Sequence, residues 1–224
     1  MEKLDAYISL ADIFTNNGYS LYLVGGSVRD YLLLGTLNDL DVVTDATPDE
    51  VESFYQGKAT YTFKKFGAVT IIYEGYRFDL TTLRKEEAYI DSRHPNKITF
   101  VKELKDDVVR RDFTLNALYM DKNLKVYDYV NGQEDLNNKV LRMIGDPYLR
   151  IKEDPLRILR AIRFSITYDF KIEESLVKAI KDSVTLLDNL NKEKIKEEIR
   201  KMKKSKEELI PIFNEFSIHY LLEL

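Results

Sequence analysis

Hydrophobic positions along the first third of the chain switch between two periods, and the switches mark the elements. Leu4, Ile8, Ala11 and Phe14 recur at helical spacing, and Gly18 follows where a glycine closes a helix. "YSLYLV" (19–24) reads as a strand running into Gly25-Gly26, "RDYLLLG" (29–35) as a short helix closed by Gly35, and "DLDVVT" (39–44) as a second strand. "ATPDEVESFY" (46–55) starts a helix, with Thr47 as N-cap, Pro48 in the first position and Glu50 completing a capping box. "TFKKFGAVTIIYEGYRFDLTTL" (62–83) reads as a hairpin with Glu74-Gly75 at its turn, and "TLNALYMD" with "KVYDYV" as a second strand pair around Lys122-Asn123.

After Gly145 glycine disappears and helical periodicity runs to the C-terminus. The pattern predicts an α+β head over residues 1–145 and a helical segment over 146–224. Composition narrows the chemistry. No apolar run is long enough to span a membrane, and the N-terminus lacks a signal-peptide layout. With no cysteine and two histidines, His94 and His219, thiolate and His-rich zinc sites are excluded, and a reducing cytoplasm is the expected location. Any metal must be held by oxygen, which points to Mg²⁺. Residues 1–145 carry 18 Lys+Arg against 23 Asp+Glu, and residues 146–224 carry 16 against 15, so a nucleic-acid contact must be a local patch.

The candidate chemistry starts at "LVGGSVRD". Gly25-Gly26-Ser27 between a strand and a helix offers backbone N–H groups to a phosphate, and Arg29 adds a guanidinium suited to a triphosphate. Asp39 and Asp41, two apart on the expected strand, share a face, where two carboxylates call for a cation. Taken singly, an Asp-x-Asp is a solvated acidic pair and a Gly-Gly-Ser a turn. Together they point to two-metal phosphoryl or nucleotidyl transfer. Asp79 is either a third carboxylate of this site, helping to deprotonate an attacking hydroxyl, or an outward-facing strand residue. In "RRDFTLNALYMD", Arg110 and Arg111 can offset phosphate charge, and Asp112 or Asn116 can bond a ribose hydroxyl; a surface basic pair is the plainer alternative.

"EDPLRILRAIRF" (153–164) sets Asp154 as an N-cap before Pro155, with Ile158, Leu159, Ile162 and Ile166 as an apolar stripe. Asp154, Arg157, Arg160 and Arg163 form a separate polar ribbon, either a solvated face or a planar recognition surface. A carboxylate accepting from an exocyclic amine, beside a guanidinium donating to the adjacent ring acceptor, reads C or A and rejects U and G.

In this order, "LVGGSVRD", "DLDVVT", "RRDFTLNAL" and "EDPLRILRAIRF" resemble bacterial class II tRNA nucleotidyltransferases, the CCA-adding enzymes, and their poly(A) polymerase relatives. The resemblance runs from about Tyr19 to about Phe170, with a fainter echo near Lys194–Lys201. It implies a polymerase-β-like head and a helical neck, with two Mg²⁺ ions on Asp39 and Asp41 and the triphosphate on Gly26 and Arg29. Arg111 with Asp112 would contact the nucleotide. Asp154 and Arg157 would act as a protein template for CTP and ATP, with Arg160 and Arg163 supporting the pocket. The tRNA 3′-hydroxyl would attack the α-phosphate and release pyrophosphate. "RKEEAYIDSRHP" (84–95) resembles the flexible loop of enzymes that add the final A, with Arg93-His94-Pro95 where the family often has two arginines.

Family members usually continue into body and tail domains, whereas this chain stops shortly after the neck. Lysines in "NKEKIKEEIRKMKK" (191–204) are candidates for RNA phosphates or for a solvated helix face. Leu221, Leu222 and Leu224 are candidates for a weakly held homodimer or for packing back onto the neck. Three rivals remain: a poly(A) polymerase of the same family, a non-catalytic RNA-binding remnant, and a nucleotidyltransferase acting on a small molecule.

Overall fold

A computed structural model of the chain describes residues 2–89 and 95–224. It divides into two compact units. The first holds the residues up to Ala88, Pro95–Arg111 and Leu115–Gln133; the second holds Asp112–Thr114 and Glu134–Leu224.

The first unit begins with α1 (Lys3–Asn16), whose buried stripe is Ala6, Tyr7, Leu10, Ala11 and Phe14. Leu4 and Ile8 of the expected stripe are only half-buried. The Tyr7 hydroxyl lies within hydrogen-bond reach of the Leu21 and Met120 carbonyls, at 3.0 and 2.8 Å, and so ties α1 to two strands. There follow β1 (Leu21–Val24), α2 (Gly26–Leu34), β2 (Asp41–Thr44) and α3 (Pro48–Phe54). The predicted capping box of α3 is formed: Thr47 Oγ1 accepts from Glu50 N–H, and the Glu50 carboxylate accepts from Thr47 N–H.

Next come β3 (Lys58–Thr60), β4 (Ala68–Tyr73) and β5 (Tyr76–Thr82). The hairpin between β4 and β5 turns at Glu74-Gly75, both at positive φ (51° and 80°), which is the demand of a two-residue turn between twisted strands. A separate two-stranded sheet joins β6 (Arg84–Tyr89) to β7 (Pro95–Phe100). Of the expected loop, residues 84–89 form β6 and Pro95 opens β7, while the residues between them, Arg93 and His94 included, fall outside the described residues. α4 (Leu104–Val108), β8 (Tyr119–Met120) and β9 (Val126–Tyr127) complete the unit. The second expected hairpin is therefore shorter than its sequence pattern. Thr114–Asn116 form a 3₁₀ turn instead of strand, and the Asn116 side chain there accepts from Arg29.

The seven-stranded sheet runs β3-β4-β5-β2-β1-β8-β9. Only β2 and β5 pair in parallel, aligning Asp41 with Asp79; the other pairs are antiparallel. This is a mixed sheet with helices, as the α+β reading expects.

α5 (Gly132–Asn137) leads into β10 (Val140–Leu141), α6 (Pro147–Glu153), α7 (Leu156–Tyr168), β11 (Lys171–Ile172), α8 (Glu174–Ser183), α9 (Lys192–Lys201) and α10 (Lys206–Glu215). The elements described over residues 146–224 are helical apart from β11, which pairs in parallel with β10. In α7, Ile158, Leu159 and Ile162 are fully buried, while Ile166 is half-buried. Its start differs from the expected cap. Pro155 is the N-cap, and Asp154 sits one residue earlier in an extended conformation that closes α6. A residue before proline is pushed out of the helical region, which separates the two helices here. Asp154 Oδ1 still accepts from Leu156 N–H at 3.1 Å. Among the described residues no helix is long and apolar enough to cross a membrane.

Candidate functional site

β1 ends at Val24, and Gly25, whose backbone (φ 62°, ψ −122°) is closed to L side chains, turns the chain directly into α2. A Cβ on Gly25 would stand 3.6 Å from the Asn116 carbonyl oxygen and 3.9 Å from Arg111 Nη1. A Cβ on Gly26 would stand 3.5 Å from Arg29 Nη2 and 3.6 Å from Asp41 Oδ2. The bare glycine turn is thus approached by two guanidinium groups and a carboxylate.

Each of these neighbours has its own support. Arg29 is buried; its Nε and Nη2 donate to Asp30 Oδ1 at 3.0 and 2.8 Å, and its Nη1 donates to Asn116 Oδ1 at 2.6 Å. Asn38 Nδ2 donates to the other Asp30 oxygen at 3.2 Å. Ser27 is buried, and its hydroxyl donates to the Asp39 carbonyl at 3.0 Å while accepting from Asp41 N–H at 2.8 Å. A hydroxyl is thereby a staple between the start of α2 and the acidic segment. Sequence reasoning assigned Ser27 to phosphate and Asn116 to ribose, and it missed Asp30 and Asn38 altogether. The signal for Asp30 lay in its adjacency to Arg29 in "VRD".

The strand begins at Asp41, so Asp39 lies in the bend before it and not two residues along a strand. Leu40 O accepts from Asp79 N–H at 3.0 Å, which draws this bend onto β5. The carboxylates nevertheless crowd. Burial, then the charges of Asp39 and Asp79, push the Asp41 carboxyl up to about 6, against the opposing pull of Arg111 and Arg29. Asp79 is exposed, and its Oδ1 accepts from Arg77 Nε and Nη2 at 3.0 and 2.8 Å and from Thr70 Oγ1 at 3.1 Å.

Among the described residues no group of three His, Cys, Asp or Glu side chains converges as a metal cage. Mg²⁺ is commonly bound by only one or two carboxylates, with water and substrate phosphate oxygens completing the shell. Asp39 and Asp41 would fit that pattern: burial is the main cause of the raised Asp41 carboxyl, and a cation would relieve the repulsion that Asp39 adds to it.

Arg111 reaches the turn from the end of α4. Its Nε donates to Asp107 Oδ2 and to the Tyr119 hydroxyl, both at 2.9 Å, and its guanidinium lies 5.0 Å from the centroid of the Tyr119 ring.

The remaining candidates belong to the second unit. Asp112 accepts from Phe113 N–H at 2.8 Å and from the Arg160 guanidinium, whose Nε is at 2.8 Å. Arg157 is buried, and its Nη1 donates to Glu153 Oε2 at 3.0 Å and to the Arg150 carbonyl at 2.7 Å. Arg163 Nε donates to Glu198 Oε2 at 2.8 Å and stands 4.3 Å over the Phe164 ring. Burial alone would raise Glu198; Lys201, Arg163 and Arg160 hold it below the ordinary range. The ribbon on α7 is thus tied to three acids, of which the sequence pattern had indicated only Asp112 as a site residue. Many lysines of 191–204 are likewise paired with glutamates a turn away, as in Lys194–Glu197, Lys196–Glu193 and Lys204–Glu208. At the C-terminus Leu221 is buried while Leu224 is exposed.

Comparison with known proteins gives this geometry a family. The sequence model described as the poly A polymerase head domain matches residues 21–142. The CCA-adding enzyme of Staphylococcus epidermidis is 41% identical over 187 residues, covering 84% of this chain and 46% of that protein. The crystal structure of Bacillus stearothermophilus CCA-adding enzyme in complex with CTP superposes with a TM-score of 0.81 at 31% identity, over 90% of this chain and 49% of that one. The Thermotoga maritima CCA-adding enzyme complexed with tRNA gives a TM-score of 0.73 at 29% identity, over 96% and 50%. The chain spans about half the length of these relatives. With the model matching more than half of its residues, the chain belongs to the poly A polymerase head-domain family.

Proposed function

We propose that the chain is a tRNA nucleotidyltransferase that adds CCA, or its terminal A, to tRNA 3′ ends from CTP and ATP without a nucleic-acid template. One observation carries the reading: Arg29 Nη2 and Asp41 Oδ2 both come within 3.6 Å of the same point above Gly26. A nucleoside triphosphate needs such a place, with a cationic donor for its phosphates and a carboxylate for the accompanying metal. The relatives named as CCA-adding enzymes, one of them solved with CTP and one with tRNA, support the choice of substrates.

In this reading Gly25, Gly26 and Ser27 offer backbone N–H groups to the phosphates, and Arg29 and Arg111 offset their charge. Asp39 and Asp41 hold two Mg²⁺ ions, which when bound neutralise phosphate charge and favour the alkoxide of the attacking hydroxyl. The tRNA 3′-oxygen forms a bond to the α-phosphorus as its proton passes to the carboxylate of Asp79, the strand partner of Asp41. The α–β phosphoanhydride breaks and pyrophosphate departs. Asp112 takes the ribose, and Asp154 with Arg157 selects C and A, supported by Arg160 and Arg163. Arg157 must exchange Glu153 for a base edge to do so.

A poly(A) polymerase is the second reading, favoured by the description of the matching family. Extension of tRNAs ending before CCA, after C and after CC, with each NTP alone and combined, tests both at single-nucleotide resolution. Ordered C, C and A followed by a stop supports CCA addition. A alone on the CC-ending tRNA indicates an A-adding enzyme, long A tails favour the second reading, and no addition with any tRNA defeats both.

A further inference from the structure

One buried carboxylate has no part in the chemistry above. Asp107 of α4 has a side chain with no solvent exposure, a costly place for a charge unless its oxygens are satisfied. Oδ1 accepts from Arg110 Nε at 2.7 Å and from Arg84 backbone N–H at 3.1 Å. Oδ2 accepts from Arg111 Nε at 2.9 Å and from the Tyr119 hydroxyl at 2.8 Å, and Arg111 Nη2 stands 2.8 Å away as an ion pair.

We propose that Asp107 is a positioning residue for the nucleotide site, holding the Arg111 guanidinium beside the glycine turn and tying it to the first residue of β6. The inference rests on the reading that the turn receives a nucleoside triphosphate. Its geometric basis is the division of labour around Arg111. The Nε–Nη2 edge is engaged by Asp107, the plane is backed by the Tyr119 ring, and Nη1 is the atom that reaches within 3.9 Å of the Cβ position of Gly25. A guanidinium fixed by one edge and one face has little freedom left, so it meets an incoming phosphate without reordering.

Ionisation supports this role. Burial alone would raise the Asp107 carboxyl, but Arg111 and Arg110 hold it well below the usual carboxylate range. The Arg84 N–H on the same carboxylate makes the root of β6 part of the same unit, so a displacement of this strand reaches Arg111 through a single side chain.

The test uses the full chain and titrates CTP and ATP into the wild type, Asp107→Asn, Asp107→Glu and Tyr119→Phe, alongside thermal melts and steady-state extension. Asp107→Asn should weaken nucleotide binding by about tenfold or more, the range seen when a residue supporting a ligand-binding group is lost. The effect should fall more on KM than on kcat, and Asp107→Glu should recover part of it. Tyr119→Phe keeps the ring and the carboxylate and loses the hydroxyl's two hydrogen bonds, to Asp107 Oδ2 and from Arg111 Nε, so about a threefold weakening is expected. Folded Asp107→Asn with wild-type affinity and an unchanged KM overturns the role. If that variant does not fold, Tyr119→Phe decides: a threefold loss supports the role, and wild-type affinity overturns it. A wild type that binds no nucleoside triphosphate defeats the reading of the turn itself, and the proposal with it.

Discussion

The glycine turn of the head and the arginine ribbon of α7 handle charge in opposite ways. Around the turn, like charges are crowded: burial and then the charges of Asp39 and Asp79 push the Asp41 carboxyl up to about 6, although Arg111 and Arg29 pull it down. On α7, opposite charges are matched, with Arg157 on Glu153, Arg160 on Asp112 and Arg163 on Glu198. In the proposed reading, a cation would release the repulsion between crowded carboxylates, so that region would gain free energy on binding metal and triphosphate. A matched arginine gains only the difference between its present acid and a base edge. In the proposed reading the first arrangement serves catalysis and the second selection, where a small difference between two partners is the quantity that matters.

Removing a crowded carboxylate is the most severe way to test that contrast. Asp41→Ala should lower nucleotide incorporation by about 10²–10³, the cost of losing one preorganised group that stabilises transition-state charge. The melting temperature should not fall with it, because the removed group was under repulsion. An incorporation rate near wild type, read on single-nucleotide gels, would take Asp41 out of the mechanism and leave the turn as a structural feature.

Acting on the matched region should give a smaller and different effect. Asp154→Ala or Arg157→Ala should erode the preference for C and A over U and G by about tenfold, since a bidentate base contact is worth roughly 1–3 kcal/mol of discrimination. Misincorporation ratios measured with competing NTPs check this. Unchanged ratios would assign the ribbon to packing, which its pairing with Glu153, Asp112 and Glu198 would by itself explain.

The contrast also explains what was legible in the sequence. The strand–glycine–helix passage, the capping box at Thr47 and the turn at Glu74-Gly75 depend on neighbours within a few residues, and pattern suffices for those. Asp79 could be counted as a candidate, but its alignment with Asp41 follows from a parallel pairing between strands separated by α3 and two other strands, which no local pattern encodes. Glu198 was hidden for a similar reason: it lies a long way along the chain from Arg163 and looks like one of many surface glutamates. Asp154 was misplaced by one residue because proline after it looked like the first residue of the helix rather than its cap.

Asn116 sharpens the comparison on the head side. In the structure its Oδ1 accepts from Arg29 Nη1 at 2.6 Å, so its effect on nucleotide should pass through a phosphate contact. Asn116→Ala should weaken binding of all four NTPs by a similar factor of about ten, since hydrogen bonds to charged groups are worth roughly 1.5–3 kcal/mol. Equal losses for ribo- and deoxyribonucleotides fit this role. A loss confined to ribonucleotides would restore the ribose contact that the residue type alone suggests.

The smallest effect tests the crowding itself, and its sign is the informative part. The Asp41 carboxyl is raised above its ordinary value by burial first and by Asp39 and Asp79 next, so the folded protein favours the protonated form more than the unfolded chain does. Its contribution to stability is therefore fully present below the ordinary carboxylate value near 4, and is lost as pH rises through about 6. Asp41→Asn mimics the protonated group at every pH. Without metal, its melting temperature should exceed that of the wild type at pH 7 by a few degrees, given about 2–4 °C per kcal/mol for a chain of this size, and should converge with it near pH 4. Added Mg²⁺ should raise the wild type at pH 7 and leave the variant where it was, since relief of repulsion is available only to the charged form. A variant that melts lower than the wild type at pH 7 would mean that the arginines win over burial and the two neighbouring aspartates, and the head would then be matched in charge just as α7 is.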